Sequence, residues 1–331
     1  MNENISTNHR IIPLSDYQLS FLKHEIILVS AISYEERGFV SLQRIAEKFQ
    51  IKKALFIQLN VKEYLTPEVL ESWNEEKNKV LSFLKEKKIS HRFLNARDDD
   101  FKDVFKKIEE EISYEDHVVV DITTLPKNYI LKMCQEMEDY NVIYVYTRGE
   151  RYSELSEEEK SVGISRIVPI DGFEGKIAIN KETILVLILG FEANRSLPFL
   201  EEFPQSRILA LIGAPGIGIR NKTHEDEMFL KQARESNKIL LNNSFVRSEE
   251  VNSTNPFIFS RQLKDIVNSY TTEKDGNIVI VPIGTKAQAL GTYLYWKSNP
   301  KAQVLYPVPN RRPKIAIKMV ETLVYILGEV Q

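Results

Sequence analysis

Residues 118–127 read Val118-Val119-Val120-Asp121-Ile122-Thr123-Thr124-Leu125-Pro126-Lys127. Three β-branched residues in a row favour a short buried strand, and the Asp and two Thr that follow end it in a polar turn. Pro126 fits the first turn of a helix, where its missing N–H costs nothing, and residues 127–140 carry helical spacing. A buried strand passing straight into a helix is the junction from which parallel α/β sheets are built. Working outward, the same alternation recurs. Residues 26–30, 54–59, 90–94 and 142–146 read as strands, and 39–49, 67–87 and 101–112 read as helices. The pattern predicts a mostly parallel sheet covered on both faces.

The second half repeats the order. Residues 26–30 run into Ser33-Tyr34-Glu35-Glu36-Arg37, and residues 184–189 run into Gly190-Phe191-Glu192-Ala193-Asn194-Arg195, with an aromatic-Glu pair past the strand each time. Residues 278–281 then run into Pro282-Ile283-Gly284-Thr285-Lys286, in the place that Asp121 to Lys127 holds in the first half. Two signatures recurring in one order point to an internal duplication. The expected fold is therefore α/β, with two tandem Rossmann-like units. At 331 residues the chain exceeds one comfortable core, and the division is expected between residues 1–160 and 161–331. A hairpin of residues 164–170 with 175–179 is expected to bridge to the second unit. Residues 197–203 and 287–297 read as helices there, and 208–212 and 304–306 as strands. Residues 213–255 give no clear pattern. Gly213-Ala214-Pro215-Gly216-Ile217-Gly218 lacks both the dinucleotide spacing and the Lys-Ser/Thr of a P-loop, so it reads as a turn.

Composition narrows the function classes. Hydrophobic residues at 43% and charged residues at 27% suit a soluble globular chain. A net charge of −3 does not indicate nucleic acid as a partner, and any anion site must be local. The single Cys134 rules out an intramolecular disulfide and reads as a buried thiol. No apolar run reaches membrane-spanning length and residues 1–10 lack a signal-peptide core, so no membrane partner and a cytoplasmic location are expected. Neither the five histidines nor Asp98-Asp99-Asp100 forms a metal motif; no metal and no cofactor are expected.

In an open parallel sheet, ligands bind outside the carboxyl ends of the strands, where the strand order reverses. That rule gathers Ser33, Tyr34, Glu35 and Arg37 beside Asp121, Thr123, Thr124 and Lys127, with Thr147, Arg148 and Arg151 closing the edge. The second half offers Glu192, Asn194 and Arg195, then Gly284, Thr285, Lys286 and Gln288, then Asn310, Arg311 and Arg312. The bland reading of Thr123 to Lys127 is a capped helix start. The functional reading adds an anion site, in which helix N–H groups and Lys127 receive a phosphate. Glu35 and Glu192 can hold an arginine, accept ribose hydroxyls, act as base or nucleophile, or simply sit at a helix start where the dipole favours a carboxylate.

The strand ending in Asp121-Ile122-Thr123-Thr124 and leading to Lys127 resembles the ligand turn of CARF domains, Rossmann-like sensors of cyclic oligonucleotides in bacterial and archaeal immunity. Two such units in one chain are similar in plan to SAVED proteins. Leu125-Pro126 stands where the family has glycines, and Pro282 stands where it has Asp in the second half. The resemblance implies a sensor or regulatory subunit of an antiviral defence system, binding a nucleotide or other phosphorylated ligand and signalling to a separate protein partner or through a homo-oligomer. Two other readings stand beside it. One is a nucleotide-directed hydrolase or transferase using Glu35 or Glu192, and the other is a structural adaptor in a larger assembly.

Overall fold

The computed structural model describes residues 10–17, 25–59, 67–97, 101–152, 163–191, 193–204, 206–271, 276–310 and 316–328. These divide into two compact units, each built on its own sheet.

The first unit contains β1 (Arg10–Pro13), β2 (Ile26–Ala31), α1 (Glu36–Lys48), β3 (Ile51–Leu59), α2 (Pro67–Glu86), β4 (Ser90–Ala96), α3 (Phe101–Glu109), β5 (His117–Asp121), α4 (Lys127–Glu136) apart from its Ile130–Cys134, and β6 (Asn141–Tyr152). The second contains β7 (Ile164–Pro169), β8 (Thr183–Leu189), a 3-10 turn Ala193–Arg195, α5 (Pro198–Glu202), β9 (Arg207–Ala214), α6 (His224–Ser236), α7 (Lys238–Leu241), β10 (Val246–Asn252), α8 (Pro256–Tyr270), β11 (Asn277–Pro282), α9 (Lys286–Ser298) and β12 (Gln303–Pro309). The chain then returns to the first sheet as β13 (Ala316–Ile326).

The first sheet runs β1-β13-β6-β5-β2-β3-β4 and the second β10-β9-β8-β11-β12-β7. Within each lie five parallel strands in one order: β6-β5-β2-β3-β4 matches β12-β11-β8-β9-β10. Each five is extended beyond its last strand by an antiparallel one, β13 on β6 and β7 on β12. In both sheets the order of the strands reverses at the same place, between β2 and β5 and between β8 and β11.

Burial follows from the two-sided cover. Every residue of β2 is buried. In β8, Leu185, Leu187 and Leu189 pack into one core with α5, α6 and α7, while Ile184, Val186 and Ile188 pack into another with α8 and α9. Eight residues of α9 are buried, and Gly291 lets α8 approach: a Cβ there would lie 2.6 Å from Phe259 Cδ1 and 2.7 Å from the Pro256 carbonyl. Cys134 is buried. Among the described residues no helix is long and apolar enough to cross a membrane.

Two expectations are corrected. Residues 316–326 were expected in the second domain, but the pairing of Leu323 with Tyr146 and Val324 with Val145 puts them in the first sheet. The bridging hairpin does not form either. Residues 164–169 are the edge strand β7, paired to β12, and residues 175–179 lie outside any strand. The turn at Phe173 closes on β12 instead, where the N–H of Val304 donates to the Phe173 carbonyl at 2.8 Å.

Candidate functional site

In the first unit the loop after β2 and the turn after β5 meet at the reversal point. A Cβ on Gly38, near the start of α1, would sit 3.2 Å from Thr124 Cγ2. Thr124 donates its hydroxyl to the Ala31 carbonyl at 3.1 Å, tying the turn to the end of β2. Behind it lies a buried polar cluster. Asp121 and Thr123 are fully enclosed; Ser30 Oγ and the Thr123 N–H donate to Asp121 at 3.1 and 3.0 Å. Thr123 Oγ1 donates to Ser41 Oγ at 3.3 Å and accepts the Thr147 N–H at 2.9 Å. Thr147 and Thr322 share a hydroxyl hydrogen bond of 2.8 Å, which carries the cluster into β13.

Asp121 and Thr123 are therefore placed beneath the surface as braces of the turn. Burial pushes the Asp121 carboxyl above its ordinary range, against the pull of hydrogen bonds from Thr123, Ser41 and Ser30. Tyr34 is likewise buried. Ser33 accepts the Glu35 N–H at 3.1 Å. Glu35 occupies the N-cap position of α1 but its side chain caps nothing; the carboxylate turns to Arg37, with Oε2 2.6 Å from Nε. Lys127 is the half-buried first residue of α4. Arg148 is engaged along the ladder, 2.7 Å from Glu321 on β13.

In the second unit Gly190 and the turn after β11 are in close approach. A Cβ on Gly190 would meet the Ile283 carbonyl at 3.2 Å. Thr285 caps α9 in a reciprocal box: its hydroxyl accepts the Gln288 N–H at 3.2 Å, and Gln288 Oε1 accepts the Thr285 N–H at 2.9 Å. Gly284 has no room for a side chain beside Gln288 Oε1. Lys286 is the first residue of α9, as Lys127 is of α4. Arg195 is buried and reaches away from this turn, donating to the Pro307 carbonyl at 2.7 Å with its guanidinium 5.8 Å from the Tyr306 ring. Asn194 lies in the 3-10 turn and is half buried. Asn310 is exposed, its N–H 3.4 Å from the Gly163 carbonyl. Glu192, Arg311 and Arg312 lie outside the described residues, and of Arg151 only the backbone is described.

Residues 213–255 hold partners that the sequence reading passed over. Asn252, fully buried, binds the Pro215 and Ile217 carbonyls at 2.7 and 2.8 Å. Asp226, also buried, accepts from the N–H groups of Gly216 and Thr223 at 2.6 and 3.0 Å and pairs with Arg220. The signal for Asp226 was present as Thr223-His224-Glu225-Asp226, a capping-box pattern with Asp as its acid. Asn252 gave no such signal for the Pro215 and Ile217 carbonyls, which lie 37 and 35 positions away along the chain.

No family model matches the chain, and no curated protein does. Among solved structures it is similar to a Type III CRISPR defence DNA nuclease activated by cyclic oligoadenylate, at 9% identity over 85% of this chain and 65% of that one, with a TM-score of 0.49. It is also similar to the cytoplasmic domain of a prokaryotic cation chloride cotransporter, at 11% identity over 88% of this chain and 98% of that one, with a TM-score of 0.25. The chain thus spans about 65% of the nuclease's length. Neither overlap is close enough to transfer a role.

Proposed function

We propose that this protein binds a nucleotide or other phosphorylated ligand at the carboxyl edges of its sheets, as a sensor or regulatory subunit of a bacterial antiviral defence system. One observation carries the reading. After the equivalent strands β5 and β11, at the point where each sheet reverses, the chain turns into a helix whose first residue is a lysine, Lys127 in α4 and Lys286 in α9. A helix start offers N–H donors and the positive end of the dipole, and the lysine adds a full charge. The repeated plan is read as a duplication of one binding unit. The CARF-like turn of residues 118–127 supports a cyclic oligonucleotide as ligand and a separate protein as the receiver of the signal.

The enzyme reading is the weaker one, because Glu35, its described candidate base, is committed to Arg37. The test is calorimetric titration with cyclic oligoadenylates and linear nucleotides. Lys127→Ala and Lys286→Ala are each expected to weaken binding about tenfold or more, the weight of one charge-assisted hydrogen bond, with little change in Tm. Binding unchanged in both variants, or no binding by the wild type, would sink the reading.

A further inference from the structure

In the second unit the turn that presents Lys286 is held by side chains from another strand end. Gln288 accepts the Thr285 N–H through Oε1 and donates through Nε2 to the Asn252 carbonyl at 3.2 Å. Thr285 Oγ1 donates to the Ser253 carbonyl at 2.5 Å. Asn252 in turn sends Nδ2 to the Pro215 and Ile217 carbonyls, while its Oδ1 accepts the N–H groups of Thr254 and Asn255 at 2.9 and 2.6 Å. These partners fix the orientation of the Asn252 amide, since a flip would set oxygen against two carbonyls and NH2 against two donors. Gln288 is also wedged against the end of β9: a Cβ on Gly213 would lie 2.8 Å from its Nε2.

Capping alone does not need this arrangement. The box at α9 requires Thr285 and Gln288 only, and the α8 cap is made by Asn255, which accepts from Phe257 and Ile258. The extra bonds run between the caps. The corresponding turn of the first unit is braced differently, to β2 through Ala31, to α1 through Ser41 and to β6 through Thr147.

We propose that Asn252 and Gln288 are positioning residues that join the loop after β9 and the turn before α9 into one linked rim, making residues 215–218 part of the second unit's ligand site. The ligand consequence rests on the function proposed above; the mechanical linkage does not. Two near-isosteric changes each remove one connection of the link while sparing the caps and the Thr285 bond to the Ser253 carbonyl. Gln288→Glu keeps the acceptor for Thr285 but loses the donor to Asn252, and Asn252→Asp keeps both accepted N–H groups but loses the donor to the β9 loop.

Amide hydrogen exchange on the full chain reads the linkage. Gln288→Glu is expected to speed exchange at residues 217–220 about tenfold, and Asn252→Asp to do the same at Thr285 and Lys286, with other protected amides of the unit unchanged. Each variant disturbing only its own turn would overturn the linkage. Should Asn252→Asp fail to fold, Gly213→Ala, whose Cβ at the end of β9 would press on both Gln288 Nε2 at 2.8 Å and Ser253 Cβ at 2.9 Å, takes its place with the same expected effect at Thr285. The second arm uses cyclic tetra-adenylate as the probe. Weakening of its binding by Asn252→Asp, comparable to that of Lys286→Ala, supports the shared site; linked exchange with unaltered affinity would remove residues 215–218 from it. No binding by the wild type would fail the ligand reading, and with it the shared site, while the exchange result still decides the linkage.

Discussion

Ser30 Oγ donates to Asp121 Oδ2 at 3.1 Å between neighbouring strands β2 and β5, where the first sheet reverses. The acid is enclosed, and burial raises its pKa from the ordinary 3.8. A carboxyl with a raised folded pKa holds its proton more tightly in the native state. Its contribution is therefore fully present below the unfolded value and is lost as pH rises through the folded one. The wild type is expected to lose stability upward from about pH 4 over this window, and Asp121→Asn to lack that slope. Urea midpoints taken across the range decide it; parallel curves would remove Asp121 as the cause.

Glu35 and Arg37 form a nearly enclosed ion pair at 2.6 Å, so Glu35→Gln tests the enzyme reading. The amide keeps the shape and loses the basicity. The expected outcome is a change in nucleotide affinity of about tenfold or less, from an Arg37 no longer held, with every nucleotide recovered intact. Chromatography after incubation with linear and cyclic nucleotides, with and without magnesium, makes the check. Consumption by the wild type that vanishes in the variant would establish Glu35 as a catalyst.

Asp226 behaves in the opposite sense to Asp121. Burial alone would raise it, but hydrogen bonds from the Thr223 and Gly216 N–H groups, the Thr223 hydroxyl and Arg220 outweigh that and bring it down to about 2. A depressed folded pKa contributes stability above the unfolded value, and the contribution is lost as pH falls toward the folded one. Asp226→Asn is expected to cost about 1–3 kcal/mol near neutrality and to flatten the acid limb between about pH 4 and pH 2. Trp296 on α9 reports on this unit once Trp73 on α2 is replaced by Phe. An unchanged acid limb would show that the carboxylate is not the determinant.

Gly284→Ala is expected to destabilise by about 1–3 kcal/mol through overpacking. Its Cβ would run into Gln288 Oε1 and approach Ile188 Cγ2 to 3.0 Å. Gly328, where a Cβ meets nothing within 4 Å, is the control. Equal melting temperatures for the two alanine variants would show that the turn yields without cost.

The buried parallel strands were legible because both of their faces are covered and their residues run apolar almost without a break, as in Val118–Val120 and in Ile26–Ala31, where Ser30 is the one polar residue. β10 was not, because it is an edge strand whose Arg247, Glu249 and Glu250 interrupt any alternation, leaving only Val251 and Asn252 buried. β13 mixes Lys318 and Glu321 among apolar residues, and its partner β6 stands far back in the chain. At the site, residue type and turn position could be read, but direction could not. Asp121 and Thr123 sit on the expected turn and face inward, Arg195 sits on the expected loop and reaches toward β12, and only long-range packing decides such choices. The box Thr285-Lys286-Ala287-Gln288 was readable as a helix start, yet its bond to Asn252 depends on a strand three places away in the sheet.

The return of β13 sets an order of events during synthesis. β1 leaves the ribosome early but bonds to β13, which is made after every strand of the second sheet. The second sheet is contiguous from β7 to β12 and can close as soon as β12 is out. A nascent chain at that stage has one finished sheet and one whose β6 edge still lacks its neighbour. Until β13 arrives, that edge is open to wrong pairing or to a chaperone.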